Sequence, residues 1–336
     1  MKKVYVIAEA EINHNGDFET AKKMIKSATM CGANCIKFQY IVAEEIADKS
    51  SEYFDLFKKA ELTLEEFVLL KEYAENVCNI DFMITAPSQK TYDALNELNF
   101  NKIKIGSSNL TNLLLLNHIA LNKGDTSQEL FISTGASNLA EINAAIQALH
   151  INEESNSLTI FHCTSVYPAP LNELNLNVIP RLVNLYPNIN IGYSDHTEGS
   201  MAAMVSVALG ANVIEKHFTL DKKMKGPDHF FSSNPRELSE YIENIRNVEK
   251  SLGSGIKEPS SSEKNIVENI RRYLIFNQSV DIGVKLNYEM FDTKRVGDKS
   301  LREIAVKASN FNIIDKLKST KRYDKGDVLV WDDFSG

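Results

Sequence analysis

The chain has 336 residues, 43% hydrophobic and 24% charged, with 15 Gly and 8 Pro, which excludes fibrous and low-complexity architectures and leaves room for one large core plus a small second domain. Its 37 basic and 45 acidic residues give a net charge of −8 with no basic stripe interleaved with aromatics, which argues against nucleic acid as a main partner. The charge-free stretch 200–214 is too short for a membrane span, and Glu9 interrupts the N-terminal apolar run before a signal h-region forms, so a cytoplasmic protein without membrane contact is expected.

Along the chain, short apolar runs alternate with longer amphipathic segments. The runs are Val4–Glu9, Cys35–Gln39, Phe82–Thr85, Ile103–Ile105, Leu130–Thr134, Leu158–Cys163, Ile189–Ser194 and Val213–Phe218. Helical periodicity covers Asp17–Cys31, Leu64–Cys78, Tyr92–Leu98, Leu110–Leu121, Leu139–Leu149, Asn177–Leu185, Ser200–Leu209 and Pro235–Leu252. Near-continuous apolar strands, each followed by a helix, predict an α/β fold of the (β/α)8 TIM-barrel type, with a doubly wound open sheet as the alternative. Neither G-x-G-x-x-G after the first strand nor a P-loop is present. The polar, acidic gap 40–63 is expected to form a loop over one end of the barrel.

After Leu252 the texture changes. Gly253–Lys264 is rich in Gly, Ser and Pro and reads as a linker. Beyond it, β-leaning runs at Tyr273–Val280 and Val328–Trp331, with turns at Asp281–Gly283 and Lys325–Gly326, predict a small β-rich domain. The expected organisation is a barrel over 1–252, a linker over 253–270 and a small domain over 271–336. So short a domain has a small core and is expected to lean on another surface, such as a second subunit. The cysteines, Cys31, Cys35, Cys78 and Cys163, lack a zinc-site spacing and read as buried free thiols.

In a parallel barrel the reactive groups gather where the strands end. Here those ends carry Glu9 and Asn13-His14-Asn15-Gly16; Lys37 and Gln39; Thr85; Lys104 and Ser107; Ser133-Thr134-Gly135; and His162 through Tyr167. Ser194-Asp195-His196, Glu215-Lys216-His217 and Gly226-Pro227-Asp228-His229 complete the series. His196 and His217 come from adjacent strand ends, where two imidazoles can share a divalent metal and leave positions open for substrate. The residues alone leave Mn²⁺, Fe²⁺, Zn²⁺ and Co²⁺ open. Lys37 and Lys104 lie in apolar strands, where each either pairs with a carboxylate or holds an anion. With the hydroxyls of Thr85, Ser107, Ser133, Ser165 and Ser194 they describe a phosphate or carboxylate cradle. A Schiff base on a strand lysine, as in a metal-free aldolase, is the competing chemistry. Glu9 is the candidate general base, with a salt bridge to Lys37 or Lys104 as its structural alternative.

The segments Ile7–Asp17, Lys37–Gln39, Lys104–Ser107, Ser133–Gly135, His162–Pro170, Gly192–Thr197, Glu215–Asp221 and Gly226–His229 resemble the sialic acid (N-acetylneuraminate) synthase family, legionaminic acid synthases included. The likeness runs through the chain in order. It implies condensation of phosphoenolpyruvate with an N-acetylmannosamine-type aldose to a nonulosonic acid, with release of phosphate. The legionaminic alternative uses a 2,4-diacetamido-2,4,6-trideoxy hexose. It also implies a barrel followed by a small antifreeze-like (SAF) domain, a domain-swapped homodimer, and a divalent metal, Mn²⁺ before Mg²⁺ or Co²⁺. By the same likeness His196 and His217 are the metal ligands, and Lys37, Thr85, Lys104, Ser107, Ser133 and Ser194 bind phosphoenolpyruvate. Gln39 and Ser165 join the substrate-binding set. Glu9 is the acid/base, Asp228 stands near the metal-bound water and Tyr167 near the substrate. Arg295 reaches the sugar's N-acetyl group across the dimer, with Tyr273 at an aromatic position beside it. The chain departs from the family pattern at Glu11 for a usual Gly and Ser108-Asn109 for Gly-Glu, both on the sugar side, and at Ser165 for an Asn beside the phosphate, Ala86-Pro87 for Pro-Phe, and Val296 for Pro.

Overall fold

A computed structural model describes residues 3–123, 128–151 and 157–333. Eight parallel strands close into a barrel: β1 (Tyr5–Glu11), β2 (Cys35–Gln39), β3 (Asp81–Thr85), β4 (Lys102–Ile105), β5 (Glu129–Ser133), β6 (Leu158–His162), β7 (Asn190–Asp195) and β8 (Val213–His217). β1 pairs with β8 in register Glu9↔His217 and closes the ring. The open-sheet alternative is thereby excluded.

Alternation along each strand builds two apolar layers. Val6, Ala8, Ile36, Phe38, Phe82 and Ile84 face outward and pack against helix residues such as Met24, Ile25, Leu70, Leu116, Leu182 and Leu238. Ile7, Cys35, Met83, Phe131, Phe161 and Val213 face inward and plug the barrel below its C-terminal end. Gly192 makes that plug fit, because a Cβ there would stand 2.6 Å from the Phe161 ring. Side-chain caps start the helices: Asp17 accepts from the Thr20 N–H, and Asn138/Glu141 and Asn234/Glu237 form capping boxes.

Some local expectations change. The gap 40–63 holds short helices at Ala43–Ile46 and Phe54–Ala60, because Leu56, Phe57 and Ala60 pack onto Ile12 and Ile41. The helix from Leu64 becomes π-helical over Tyr73–Cys78. Cys31, Cys35, Cys78 and Cys163 are free thiols, of which Cys35 and Cys163 are fully buried and the other two partly so. Among the described residues no helix is long and apolar enough to cross a membrane.

Chain contacts separate two compact units, Met1–Ser254 and Gly255–Gly336. The second has its own core of Leu274, Phe276, Val280, Leu286, Val306, Ile314, Tyr323 and Leu329. Within it β9 (Tyr273–Phe276) pairs antiparallel with β10 (Phe291–Lys294), and Phe276 stacks on Tyr323 at 4.2 Å between centroids. The expected run 328–331 contributes only single bridges, Ile275↔Val328 and Ala305↔Val330. The expected linker 253–270 is not all extended: Ser261–Ile270 is helical, started by a Ser260/Glu263 capping box.

Candidate active site

The strand ends converge on a cavity of about 400 Å³. Glu9, Lys37, Gln39, Thr85, Lys104, Ser107, Ser133, Ser165, Tyr167, Ser194, His196 and His217 line it, together with Glu11, Gly135 and Glu215. The register explains the convergence. Glu9 lies opposite both Lys37 and His217, Gln39 opposite Thr85, Thr85 opposite Lys104, and Ser194 opposite Glu215. Side chains of this one layer therefore point inward above the apolar plug.

The floor of the cavity is an ion network. Lys104, 1% exposed, donates to both carboxylate oxygens of Glu215 at 2.8 and 2.7 Å. Its ammonium also lies 4.0 Å from the centroid of Phe161. Lys37 pairs with Glu9 and reaches Glu215 Oε2 at 3.1 Å. Ser194 Oγ donates to Glu215 Oε1 at 2.8 Å. The two ammonium groups hold the Glu215 carboxyl well below its usual range despite burial. Burial pulls Lys37 down to about 7. Each lysine thus has a carboxylate partner and also faces the cavity. A Lys104 tied to both oxygens of a carboxylate is not a free amine, and nothing supports the Schiff-base chemistry.

The sequence places Glu215 at a strand end beside His217; the structure makes it the centre of this network. The signal was present: two ammonium groups in one inward layer demand compensating carboxylates, and Glu215 alternates with His217 on the same face of β8.

Above the network lies a ring of donors. The Gly135 N–H donates to Ser107 Oγ at 3.1 Å. A Cβ there would meet Ser165 Oγ at 2.0 Å, Ser107 Oγ at 2.8 Å and Cys163 Sγ at 3.1 Å, so any larger residue turns these side chains away from their present positions. Thr85 Oγ1 accepts the Tyr40 N–H at 3.2 Å.

On the opposite side His196 and His217 stand 5.4 Å apart between ring centroids. His196 Nδ1 donates to the Thr164 carbonyl at 2.7 Å, which leaves Nε2 its lone pair, 3.2 Å from Ser194 Oγ. Burial lowers the pKa of both imidazoles and keeps them neutral, the form that binds a metal. His217 Nδ1 is buried without a hydrogen-bond partner. One ligand atom each of His217, Glu11 and Asp228 lies within 4.8 Å of the others. Neutral imidazoles beside carboxylates suit a divalent first-row ion, so these residues fit the metal that the sequence implied. Tyr167 covers this side, its ring centroid 4.2 Å from His196 and 5.1 Å from Phe231.

The strand-end histidines His162 and His229 are hydrogen-bonded into the structure. Asn13 donates to the Phe218 carbonyl at 2.9 Å and to Ser232 Oγ at 3.1 Å. Asn15 contacts His229 Nε2 at 3.2 Å, and Thr219 Oγ1 contacts its Nδ1 at 2.7 Å. The Asn13–Gly16 motif thereby latches the loop after β8, which carries Asp228. Asp195 likewise binds Thr197, Lys216 and Tyr241 outside the cavity. His162 Nε2 donates to the Leu174 carbonyl at 2.7 Å.

Two expected residues lie in the second unit. Arg295 is exposed after β10. Tyr273 is buried on the face of β9 opposite that unit's main core, packed with Ile275, Val296 and Ala305, and its hydroxyl donates to Glu268 at 3.1 Å.

A profile of the NeuB family matches residues 24–257. The N,N′-diacetyllegionaminic acid synthase of Campylobacter jejuni is 40% identical over 88% of this chain and 91% of its own length. Human N-acetylneuraminate-9-phosphate synthase is 33% identical over 88% of this chain and 83% of its own. Among solved structures, the N-acetylneuraminic acid (sialic acid) synthetase of Leptospira borgpetersenii, in complex with citrate, superposes with a TM-score of 0.72. It is 35% identical, over 80% of this chain and 91% of that one.

Proposed function

This chain belongs to the NeuB family, and from that premise we propose that it condenses phosphoenolpyruvate with an N-acetylmannosamine-type aldose to a nonulosonic, sialic acid-like acid, releasing phosphate. The observation that carries this reading is one cavity holding both halves of the chemistry. Paired ammonium groups and hydroxyl donors form one wall, and neutral histidines beside carboxylates form the other.

In this reading Lys37 and Lys104 bind the phosphate and carboxylate of phosphoenolpyruvate, with Thr85, Ser107, Ser133, Ser165 and Ser194 completing the cradle. Glu215 keeps both ammonium groups oriented before the anion arrives. The residues that would hold a divalent metal are His196 and His217, with Asp228 adjacent, and Mn²⁺ suits them. Bound there, the ion supplies Lewis-acid polarisation of the open-chain sugar's aldehyde. Gln39 and Tyr167 orient the sugar so that C3 of phosphoenolpyruvate meets the aldehyde carbon. A C–C bond forms and the aldehyde oxygen takes up a proton. Glu9, fixed by Lys37 and by the Glu11 N–H at 2.6 Å, takes a proton from the water that adds at C2. Loss of phosphate from that carbon leaves the α-keto acid. Holding two reactants in register supplies much of the acceleration.

The acceptor reading has a second form. Identity to the Campylobacter jejuni legionaminic enzyme, 40%, exceeds the 33% to the human neuraminate-phosphate enzyme, which favours a 2,4-diacetamido-2,4,6-trideoxy hexose. We further propose that 271–336 form an antifreeze-like domain and that Arg295 acts on the partner's site in a swapped homodimer. Recovery of activity on mixing Arg295→Ala with Glu9→Ala chains supports the swap, and no recovery counts against it.

The test is phosphate release from phosphoenolpyruvate with Mn²⁺, with each sugar, and with chelator. Sugar-dependent, chelator-sensitive release is expected. Absence of release with every acceptor refutes the reading.

A further inference from the structure

β1 carries an irregularity that the rest of the barrel lacks. Glu9 pairs with Lys37 but Glu11 pairs with Phe38, so Ala10 is an extra residue, a β-bulge beside the cavity. Glu11 adopts φ +44°, a left-handed conformation that favours glycine. A glutamate is strained there, and such strain persists where the surroundings over-determine it.

The bulge aims the Glu11 carboxylate into the cavity. Oε1 accepts from Gln39 Nε2 at 2.6 Å. Oε2 faces His217 Nδ1 at 3.5 Å, and that nitrogen, on a side chain only 8% exposed, has no hydrogen-bond partner. Asp228 completes a triad with ligand atoms within 4.8 Å of one another. A cation between these carboxylates would satisfy the orphaned nitrogen and cancel their repulsion; without one, burial and Asp228 hold the Glu11 carboxyl well above its usual range.

We infer that Glu11 is itself a ligand of the divalent metal, joining His217 and Asp228 in a carboxylate-rich centre, with Gln39 as the outer residue that holds its carboxylate in place. This rests on the metal reading of the site above. It assigns the ion a ligand from β1 where the histidines alone offer only neutral donors. The added negative charge favours an oxygen-preferring ion such as Mn²⁺ over a softer one.

Calorimetric titration of metal-stripped, full-length protein with Mn²⁺, in the absence of substrates, tests it. Glu11→Gly relieves the backbone strain and so leaves folding secure; Glu11→Gln keeps the side chain's size. Both are expected to weaken Mn²⁺ binding at least about tenfold, the scale of losing even a supporting metal-site partner. Co²⁺ loaded in place of Mn²⁺ is expected to change its visible absorption in both variants. Wild-type and variants binding Mn²⁺ equally well overturns the role of Glu11 while the metal reading stands. Failure of the wild type to bind Mn²⁺ overturns both. A raised KM for the sugar with unchanged Mn²⁺ affinity assigns Glu11 to the sugar and overturns the inference.

Discussion

Replacing Glu215 with Gln preserves shape and removes one charge from the centre of the barrel. Lys104, 1% exposed, then loses its ion pair, and Lys37, 5% exposed, keeps Glu9 alone. Two routes lead to the magnitude. Breaking a buried pair by removing one partner costs about 3–5 kcal/mol. The protein can escape by deprotonating one lysine; moving it from about 10.4 to below pH 8 costs about 3 kcal/mol at about 1.4 kcal/mol per pKa unit. The estimates agree, so Glu215→Gln is expected to destabilise the barrel by about 3 kcal/mol, a fall of about 6–12 °C for a unit of this size. The sign with pH follows. In the wild type the carboxyl is held below its unfolded value, so its contribution is full above about pH 4.5 and is lost as pH falls further. In the variant, lysines deprotonate in the native state but stay charged when unfolded up to about pH 10.4, so stability rises with pH. The deficit should therefore be larger at pH 6 than at pH 9, read by denaturant unfolding at both. Inorganic phosphate should restore part of the loss by standing where the carboxylate stood. A deficit under about 1 kcal/mol, or one that does not narrow at high pH, refutes the pairing argument.

Gly135→Ala puts a methyl group 2.0 Å from Ser165 Oγ; steady-state kinetics should give a KM for phosphoenolpyruvate about tenfold higher, because the serines must turn out of the cradle, a loss of about 1.4 kcal/mol in binding. Because burial pulls Lys37 down to about 7 amid Glu9, Glu215 and Lys104, and its charged form is the one that binds phosphate, kcat/KM for phosphoenolpyruvate should fall as pH rises through about 7. A flat profile from pH 6 to 9 would remove Lys37 from the cradle. Asn13→Ala should cost about 1–3 kcal/mol by leaving the Phe218 carbonyl and Ser232 Oγ without their partner, measured as a lowered unfolding midpoint.

Much of the barrel was legible in advance because local physics dictates it. Each strand is a short β-branched or aromatic run buried on both faces, and each following helix has a 3.6-residue stripe, so a residue's own neighbourhood announces its element. The polar strand ends were legible for the same reason: Lys37, Lys104, His196 and His217 interrupt apolar runs where burial without purpose is costly. Their partners were not. Glu215 is 111 residues from Lys104, and only ring closure and the β7–β8 register bring it beneath both lysines. Glu11 stood out as a departure from a glycine, but the bulge that turns it toward His217 depends on how β1 pairs with β2. Tyr273 is buried by Val296 and Ala305, residues that only the fold of the second unit brings beside it. The chemistry of single residues was thus written locally, whereas charge compensation depends on distances below 4 Å between segments far apart in the chain, which tertiary packing alone decides.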